Sequence, residues 1–283
     1  NRNIDSLTII RGLKKFMTET EAKLQYGILS GKIDTLVSFP LSFNSAFTST
    51  LIPVVSSAKA SNNLELASRK IRFSMLISIL IGLPSTVGMI IFAKPILELL
   101  FPNQPSGELL LQISSISITF IMFNQNINAI LHGLGKTIMP TIILTAGATI
   151  KLILNTILVQ INPDNFIFGG TAGAALSTVI SHIFVCRVSM HLVKKYVNIK
   201  FGIADIIKPI LATLMMGICM VFTYQQLLCI FSEKLCILLT LLIAITIYFL
   251  LILVLKVFSE EEIKKIPFGS AVYNVLKVLK IYK

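Results

Sequence analysis

Apolar residues along this chain gather into seven long blocks, separated by short stretches where lysine, arginine, proline and glycine collect. The blocks lie at about 33–58, 73–93, 109–131, 137–161, 170–193, 206–230 and 235–257. Each has the length of roughly 20 residues that a helix needs to cross the hydrocarbon layer of a bilayer. The connections are short, which favours antiparallel neighbours in one bundle. The pattern predicts an all-α fold, a polytopic transmembrane helical bundle of about seven spans. Residues 1–32 read as an extracytoplasmic segment with one short helix, because Thr18 and Glu21 have capping-box spacing ahead of Ala22-Lys23-Leu24-Gln25-Tyr26. The five spans of 33–193 form one bundle. Residues 194–257 hold a cytoplasmic linker and two further spans, and 258–283 a basic cytoplasmic tail. Pro140 and Pro209 sit near helix starts, where a missing N–H costs least. Pro84, between Gly82 and Gly88, is expected to kink the second span.

Polar positions inside the spans carry the chemical information, since lipid cannot satisfy them. The first span bears Asp34, Ser38, Ser42, Ser45, Ser49, Pro53 and Ser56 at three-to-four spacing. That stripe suits a cavity wall or a helix contact. In the third span Ser114, Ser117, Asn124 and Asn128 share a face, and Gln125 and Asn126 lie beside them. These carboxamides suit either a cavity or interhelical hydrogen bonds.

Lys151 is the one charge in mid-span, roughly 15 Å from either end of Thr141–Ile161 at about 1.5 Å per residue. A charge at that depth costs about 2.5–3.5 kcal/mol on insertion scales. It needs a wet cavity, a partner acid or a route to the interface, and no span shows an acid at its middle. Asn155 lies one turn later on the same face and Gly147 one turn earlier. Lys151 is therefore either a cavity residue, a structural lysine bonded to Asn155 and carbonyls, or a snorkelling one. Lys151, Asn155, Asn124, Asn128, Ser42 and Ser45 form the candidate substrate-binding set. Gly169, Gly173, Ser177 and Ser181 step at four-residue intervals, a small-residue ladder suited to close packing. His182 reads as an internal hydrogen-bonded residue, His132 and His191 as interfacial ones.

Composition agrees with a membrane protein: 13% of residues are charged and the mean hydropathy is +0.84. The net charge of +12 does not point to nucleic acid, because the basic residues sit at helix ends and in short loops. Lys59, Arg69, Lys70, Arg72, Lys136, Arg187, Lys194, Lys195, Lys200 and Lys208 mark one side, with Lys256, Lys264, Lys265, Lys277, Lys280 and Lys283 in the tail. The other side holds Lys94 and Lys234 with Arg2, Arg11, Lys14, Lys15, Lys23 and Lys32. Sixteen against eight places the C-terminus in the cytoplasm. After Pro267, Phe268, Val272, Val275, Leu276 and Leu279 share one face, so the tail is either an amphipathic surface helix or a disordered basic segment. Cys186, Cys219, Cys229 and Cys236 show no ligand spacing and read as packed thiols. No phosphate-cradling loop, metal site or nucleophile set occurs, so neither a cofactor nor catalysis is expected. The chain opens at Asn1 without an initiator Met and reads as part of a longer protein.

The order of several motifs is familiar. Ala22-Lys23-Leu24-Gln25-Tyr26-Gly27 precedes a span with Pro40 that closes on Thr48-Ser49-Thr50 and Leu51-Ile52-Pro53-Val54-Val55-Ser56. Gly82-Leu83-Pro84, Ala93-Lys94-Pro95-Ile96 and Ile130-Leu131-His132-Gly133-Leu134-Gly135-Lys136 follow. Then come Lys151-Leu152-Ile153-Leu154-Asn155 and Gly169-Gly170-Thr171-Ala172-Gly173-Ala174-Ala175. Across nearly its whole length the chain resembles the C-terminal half of a stage V sporulation protein B-type polysaccharide flippase, of the multidrug/oligosaccharidyl-lipid/polysaccharide exporter superfamily. The resemblance implies one half of a two-bundle transporter in a bacterial plasma membrane, serving cell-wall or sporulation chemistry. It also implies an absent N-terminal half as partner. The implied substrate is a lipid-linked saccharide with a diphosphate headgroup, such as a peptidoglycan precursor, moved by alternating access; Lys151 is the residue whose position matches a basic cavity residue. A cation-coupled multidrug exporter and a non-transporting membrane scaffold are the competing readings. The exporter should prefer acids within its spans, and the scaffold should tolerate bulky apolar residues on its polar stripes.

Overall fold

The structure, a computed structural model, describes residues 2–62, 64–197, 202–258 and 263. The described residues form helices and connecting turns and no strand. They divide into two compact units, Asn1–Lys200 and Phe201–Lys283. The amphipathic tail anticipated after Pro267 lies outside the described residues.

In the first unit, α1 (Arg2–Leu13) and α2 (Glu19–Gly27) precede a π-helical turn, Ile28–Ile33. The capping box is formed: the Thr18 backbone N–H donates to Glu21 Oε2 at 2.9 Å, and the Thr18 hydroxyl accepts from the Glu21 N–H at 3.4 Å. Two helices thus stand where one was expected, and α1 is more than a loop segment. It buries Ile9 and Leu13 and runs beside and parallel to α9 (Ile138–Leu158). Asp5 pairs with Lys151 near its start, and a Cβ on Gly12 would meet Val159 near its end. The four-residue spacing of Asp5, Ile9 and Leu13 puts all three on that packed face.

The first anticipated span is two helices, α3 (Asp34–Ser49) and α4 (Leu51–Ala60), broken at Thr50. Pro53 supplies the reason, since its ring crowds the carbonyl of Ser49 and it has no N–H to donate. The third is likewise split, into α7 (Glu108–Ser115) and α8 (Ser117–Gly133). There Ser115 and Ser117 donate their hydroxyls to the carbonyls of Leu111 and Ser114, both at 2.6 Å, competing with the backbone ladder. Between them α5 (Leu64–Ile91) runs on through Pro84, and α6 (Ala93–Leu100) links to the loop before α7.

Among the described residues, five helices are long and apolar enough to cross a membrane unbroken: Ala67–Ile91, Ile138–Leu158, Gly170–Val193, Ala204–Leu228 and Glu233–Val254. The remaining two of the seven anticipated spans are the broken pairs.

α8 is the spine of the first unit. It packs against α3, α4, α5 and α10 (Gly170–Val193) and buries Ile118, Met122, Ile127 and Ile130. Gly133 lets it approach α4 closely, because a Cβ there would stand 2.7 Å from Val55 Cβ and 2.9 Å from the Ile52 carbonyl oxygen. The helix stops at Gly135, φ +74°, where the Lys136 N–H reaches back to the Leu131 carbonyl at 2.8 Å. Along α9 and α10 the small-residue ladder is a packing seam. A Cβ on Gly173 would fall 2.7 Å from Leu158 Cβ, and the Ser181 hydroxyl donates to the Gly147 carbonyl at 2.8 Å.

The second unit pairs α11 (Ala204–Leu228) with α12 (Glu233–Val254), antiparallel and joined by a short turn. Ala212, Met216, Met220, Cys236, Ala244 and Ile252 are buried in it. Lys208 Nζ caps the Lys256 carbonyl at 2.9 Å, tying the start of one helix to the end of the other.

Candidate functional site

Two groups of polar side chains stand out in the first unit, and the candidate residues divide between them. The first is a groove of about 300 Å³ lined by Ser45, Thr48, Ser49, Ile52, Gln125, Asn128, Ala129 and His132. It is built by α3 and α4 on one side and α8 on the other. Four-residue spacing along α8 brings Asn128 and His132 to the same face, with Gln125 and Ala129 beside them. On α3, Ser38, Ser42, Ser45 and Ser49 form an exposed face, while Val37, Pro40, Asn44 and Thr48 turn inward.

The hydroxyls of that exposed face are bonded within their own helix. Ser42 donates to the Ser38 carbonyl at 3.1 Å, Ser45 to Ser42 at 2.7 Å and Ser49 to Ala46 at 2.9 Å. This is how an apolar helix carries so many serines, and it leaves their oxygen lone pairs facing outward as acceptors. Ser45 lines the groove and Ser42, one turn earlier, does not. Asn128 lines it too, with its Oδ1 buried and without a hydrogen-bond partner.

Behind the groove lies a polar network that joins α3, α5 and α8. Asn44 Nδ2 donates to Gln125 Oε1 at 2.7 Å and to the Met122 carbonyl at 3.2 Å. Its Oδ1 accepts from the Ser78 hydroxyl at 2.5 Å. Asn126 Nδ2 donates to Ser78 Oγ, and Asn126 Oδ1 accepts from the Ser74 hydroxyl at 2.8 Å. Asn44, Ser78 and Asn126 are fully buried. The carboxamides of α8 therefore serve both purposes open to them: Asn126 ties helices together, while Gln125 and Asn128 line the groove. Asn124 does neither of these. It faces α10, where its Nδ2 donates to the His182 carbonyl at 3.4 Å.

The second group surrounds Lys151. Its Nζ stands 2.9 Å from Asp5 Oδ2, with the two side chains 24% and 23% exposed. The acid that no span displays comes from α1, whose polar composition hides a helix lying against α9. Asn155 is wholly buried one turn on, and neither of its amide atoms has a hydrogen-bond partner. It makes no bond to Lys151. The anticipated set thus comprises Ser45 and Asn128 at the groove, Ser42 beside it, Asn124 against α10, and Lys151 with Asn155 near α1.

Residues outside that set complete both groups. Asp5 is readable from its four-residue spacing with Ile9 and Leu13, and Asn44 from its place as the lone carboxamide of the first span, one turn before Thr48. His132 belongs to the groove lining and is more than an interfacial residue. Outside the helical bundle, the Glu19 carboxylate between Lys14 and Lys23, each at 2.7 Å, is held down to a pKa of about 2.

The first unit is thus a helical membrane bundle with a broken first span, a central carboxamide-bearing helix and a polar groove. The MatE family model matches residues 26–157, from α2 through α9, and so includes every groove residue and Lys151. That stretch is just under half of the chain, and over more of its length the chain is similar to proteins of the multidrug/oligosaccharidyl-lipid/polysaccharide exporter superfamily.

Three Bacillus subtilis proteins show the relation. The chain is 25% identical over 281 residues to the uncharacterized membrane protein YabM, covering 97% of this chain and 51% of that one. It is 25% identical over 205 residues to the lipid II flippase MurJ, covering 71% and 36%. It is 22% identical over 249 residues to stage V sporulation protein B, covering 87% and 46%. The chain therefore spans about half the length of the curated relatives it matches, or less. The inward closed structure of lipid II flippase MurJ superposes with a TM-score of 0.55 at 21% identity, covering 78% of this chain and 47% of that one, and shows the shared fold. The relatives named for a function are a flippase and sporulation proteins, not enzymes.

Proposed function

We propose that the chain is the C-terminal bundle of a flippase for a lipid-linked saccharide with a diphosphate headgroup, working by alternating access against a second, N-terminal bundle. The observation that carries this reading is the chemistry of the groove. Its lining offers carboxamides, hydroxyl oxygens and an imidazole, and no carboxylate. Such a surface suits the hydroxyls and ring oxygens of a sugar, each needing directed hydrogen bonds, and gives a cationic drug nothing to pair with. A lipid II flippase among the relatives and a shared fold with its structure support the same substrate class. The C-terminus lies in the cytoplasm, following the basic-residue asymmetry.

Ser45 and Asn128, joined by Gln125, are the substrate-facing residues of this proposal, with Ser42 flanking them and Asn124 setting α8 against α10. Lys151 and Asn155 lie at the α1–α9 contact. There the ammonium is neutralised by Asp5, and a headgroup reaches it only by exchanging places with that carboxylate.

Asp5 also favours the second reading, a cation-coupled exporter, because an acid held against the middle of a span is the group such a protein uses to bind protons or cations. Proteoliposomes separate the two. The flippase reading expects translocation of lipid II, and a loss of about tenfold or more in Ser45→Phe, which fills the groove. Transport of ethidium that disappears in Asp5→Asn, with no movement of lipid II, would establish the exporter. Full activity in Ser45→Phe would remove the groove from either mechanism and leave the scaffold.

A further inference from the structure

The carboxamide of Gln125 presents a donor end and an acceptor end, and which of them meets a ligand decides what the groove can recognise. The surrounding bonds settle the orientation. The Met122 carbonyl can only accept, and the Asn44 side chain approaches it at 3.2 Å, so the end of Asn44 facing it is Nδ2. Asn44 Oδ1 then faces Ser78, whose hydroxyl donates to it at 2.5 Å. The same Asn44 Nδ2 reaches Gln125 at 2.7 Å, and the atom receiving that bond is therefore Oε1. Gln125 Nε2, with two N–H groups, is left at the groove.

We propose that Asn44, which bonds the groove residues Gln125 and Thr48 from behind and does not itself line the groove, is a positioning residue that turns the Gln125 amide so that its donors face the groove. The groove thereby selects ligands rich in acceptor oxygens. Ser78 and Asn126 act behind it. Asn126 Nδ2 donates to Ser78 Oγ and also to the Met122 carbonyl at 3.3 Å, so the same acceptor fixes both asparagines. Ser74 completes the chain on Asn126 Oδ1 at 2.8 Å. Full burial removes water as an alternative partner, and a buried carboxamide that flipped would set acceptor against acceptor. Beside the Gln125 donors, the unpartnered Asn128 Oδ1 is an acceptor. A donor and an acceptor three residues apart on one helix match a sugar hydroxyl and its neighbouring oxygen, since each hydroxyl both donates and accepts.

This inference rests on the proposed saccharide groove, and its test separates the two. The protein in nanodiscs, carrying 15N-glutamine at its seven glutamines, gives side-chain amide signals in which Gln125 is assigned by its loss in Gln125→Leu. Asn44→Leu keeps every groove-lining residue and removes the bond to Gln125 Oε1. The Gln125 signal is expected to shift and broaden in Asn44→Leu; an unchanged signal overturns the positioning role whatever the ligand.

Binding is then read with lipid II and with undecaprenyl diphosphate, which has the same headgroup phosphates and no sugar. Asn44→Leu and Gln125→Leu are each expected to weaken lipid II binding about tenfold, leave undecaprenyl diphosphate unchanged, and show no further loss when combined. Additive losses, or equal weakening of both ligands, mean that Asn44 is merely structural. Wild-type protein that ignores lipid II overturns the saccharide reading, while the amide signal still decides the positioning role. Should Asn44→Leu fail to fold, Ser78→Ala frees Asn44 to rotate and carries the same measurements.

Discussion

At the scale of single residues, the charge chemistry of the bundle turns on one pair. Lys151 is conspicuous in sequence because a lysine flanked by isoleucine and leucine has no cheap place in a bilayer. Its partner is inconspicuous, because Asp5 sits in a stretch with enough polar neighbours to pass for a surface segment. Only the contact of α1 with α9 makes the two charges one neutral unit. Each member alone is a liability. Removing one side of a buried ion pair typically costs about 3–5 kcal/mol, whereas replacing both is far milder. Lys151→Met and Asp5→Asn are each expected to lower the thermal midpoint of the purified protein sharply, and the double variant to recover much of the loss. Single variants that melt with the wild type would show that the pair contributes nothing to folding. The same logic of partners explains Asn44 and Gln125, where spacing identifies the residues and only the three-dimensional network shows which atom faces which.

At the scale of elements, continuous hydropathy was a sufficient guide wherever the helix is continuous. The spans anticipated at about 137–161 and 170–193 correspond to α9 and α10 within a few residues. It failed where local chemistry interrupts an apolar run, at Pro53 and at the serines around Ile116, because averaging over a window conceals a broken hydrogen-bond ladder. It also missed α1, which is too short and too mixed to register. The element most legible from a motif is α2, where Thr18 and Glu21 form the cap that their spacing implies.

Electrostatics at α2 give a pH dependence. Lys14 and Lys23 lower the Glu19 carboxyl to about 2, and the Thr18 backbone and hydroxyl lower Glu21. A carboxylate whose folded pKa lies below its ordinary value near 4.5 stabilises the folded form above that value, and the contribution fades as pH falls toward 2. Hydrogen exchange should therefore find α2 amide protection level from neutral pH to about 5 and declining below 4.5, once corrected for intrinsic rates. Protection that declines between pH 7 and 5 would place the controlling group elsewhere.

At the scale of the whole molecule, orientation is the property on which the transport proposal depends, because it decides which end of the groove opens first to substrate made in the cytoplasm. Ten of the basic residues mark the connections on one side and only Lys94 and Lys234 those on the other, if the segments flanking the bundle are set aside. Under the proposed orientation, that asymmetry puts the turn between α11 and α12 outside the cell. The structure supplies a native reporter there. Cys229 closes α11 and is the exposed cysteine of the four, whereas Cys186 and Cys219 are partly covered and Cys236 is buried. A membrane-impermeant maleimide applied to intact cells is expected to label the protein, and Cys229→Ser to abolish the signal. Labelling that requires permeabilised cells would invert the bundle. The end of the groove marked by His132 would then face outward, and lipid-linked substrate would have to enter at the opposite end, beside Ser45.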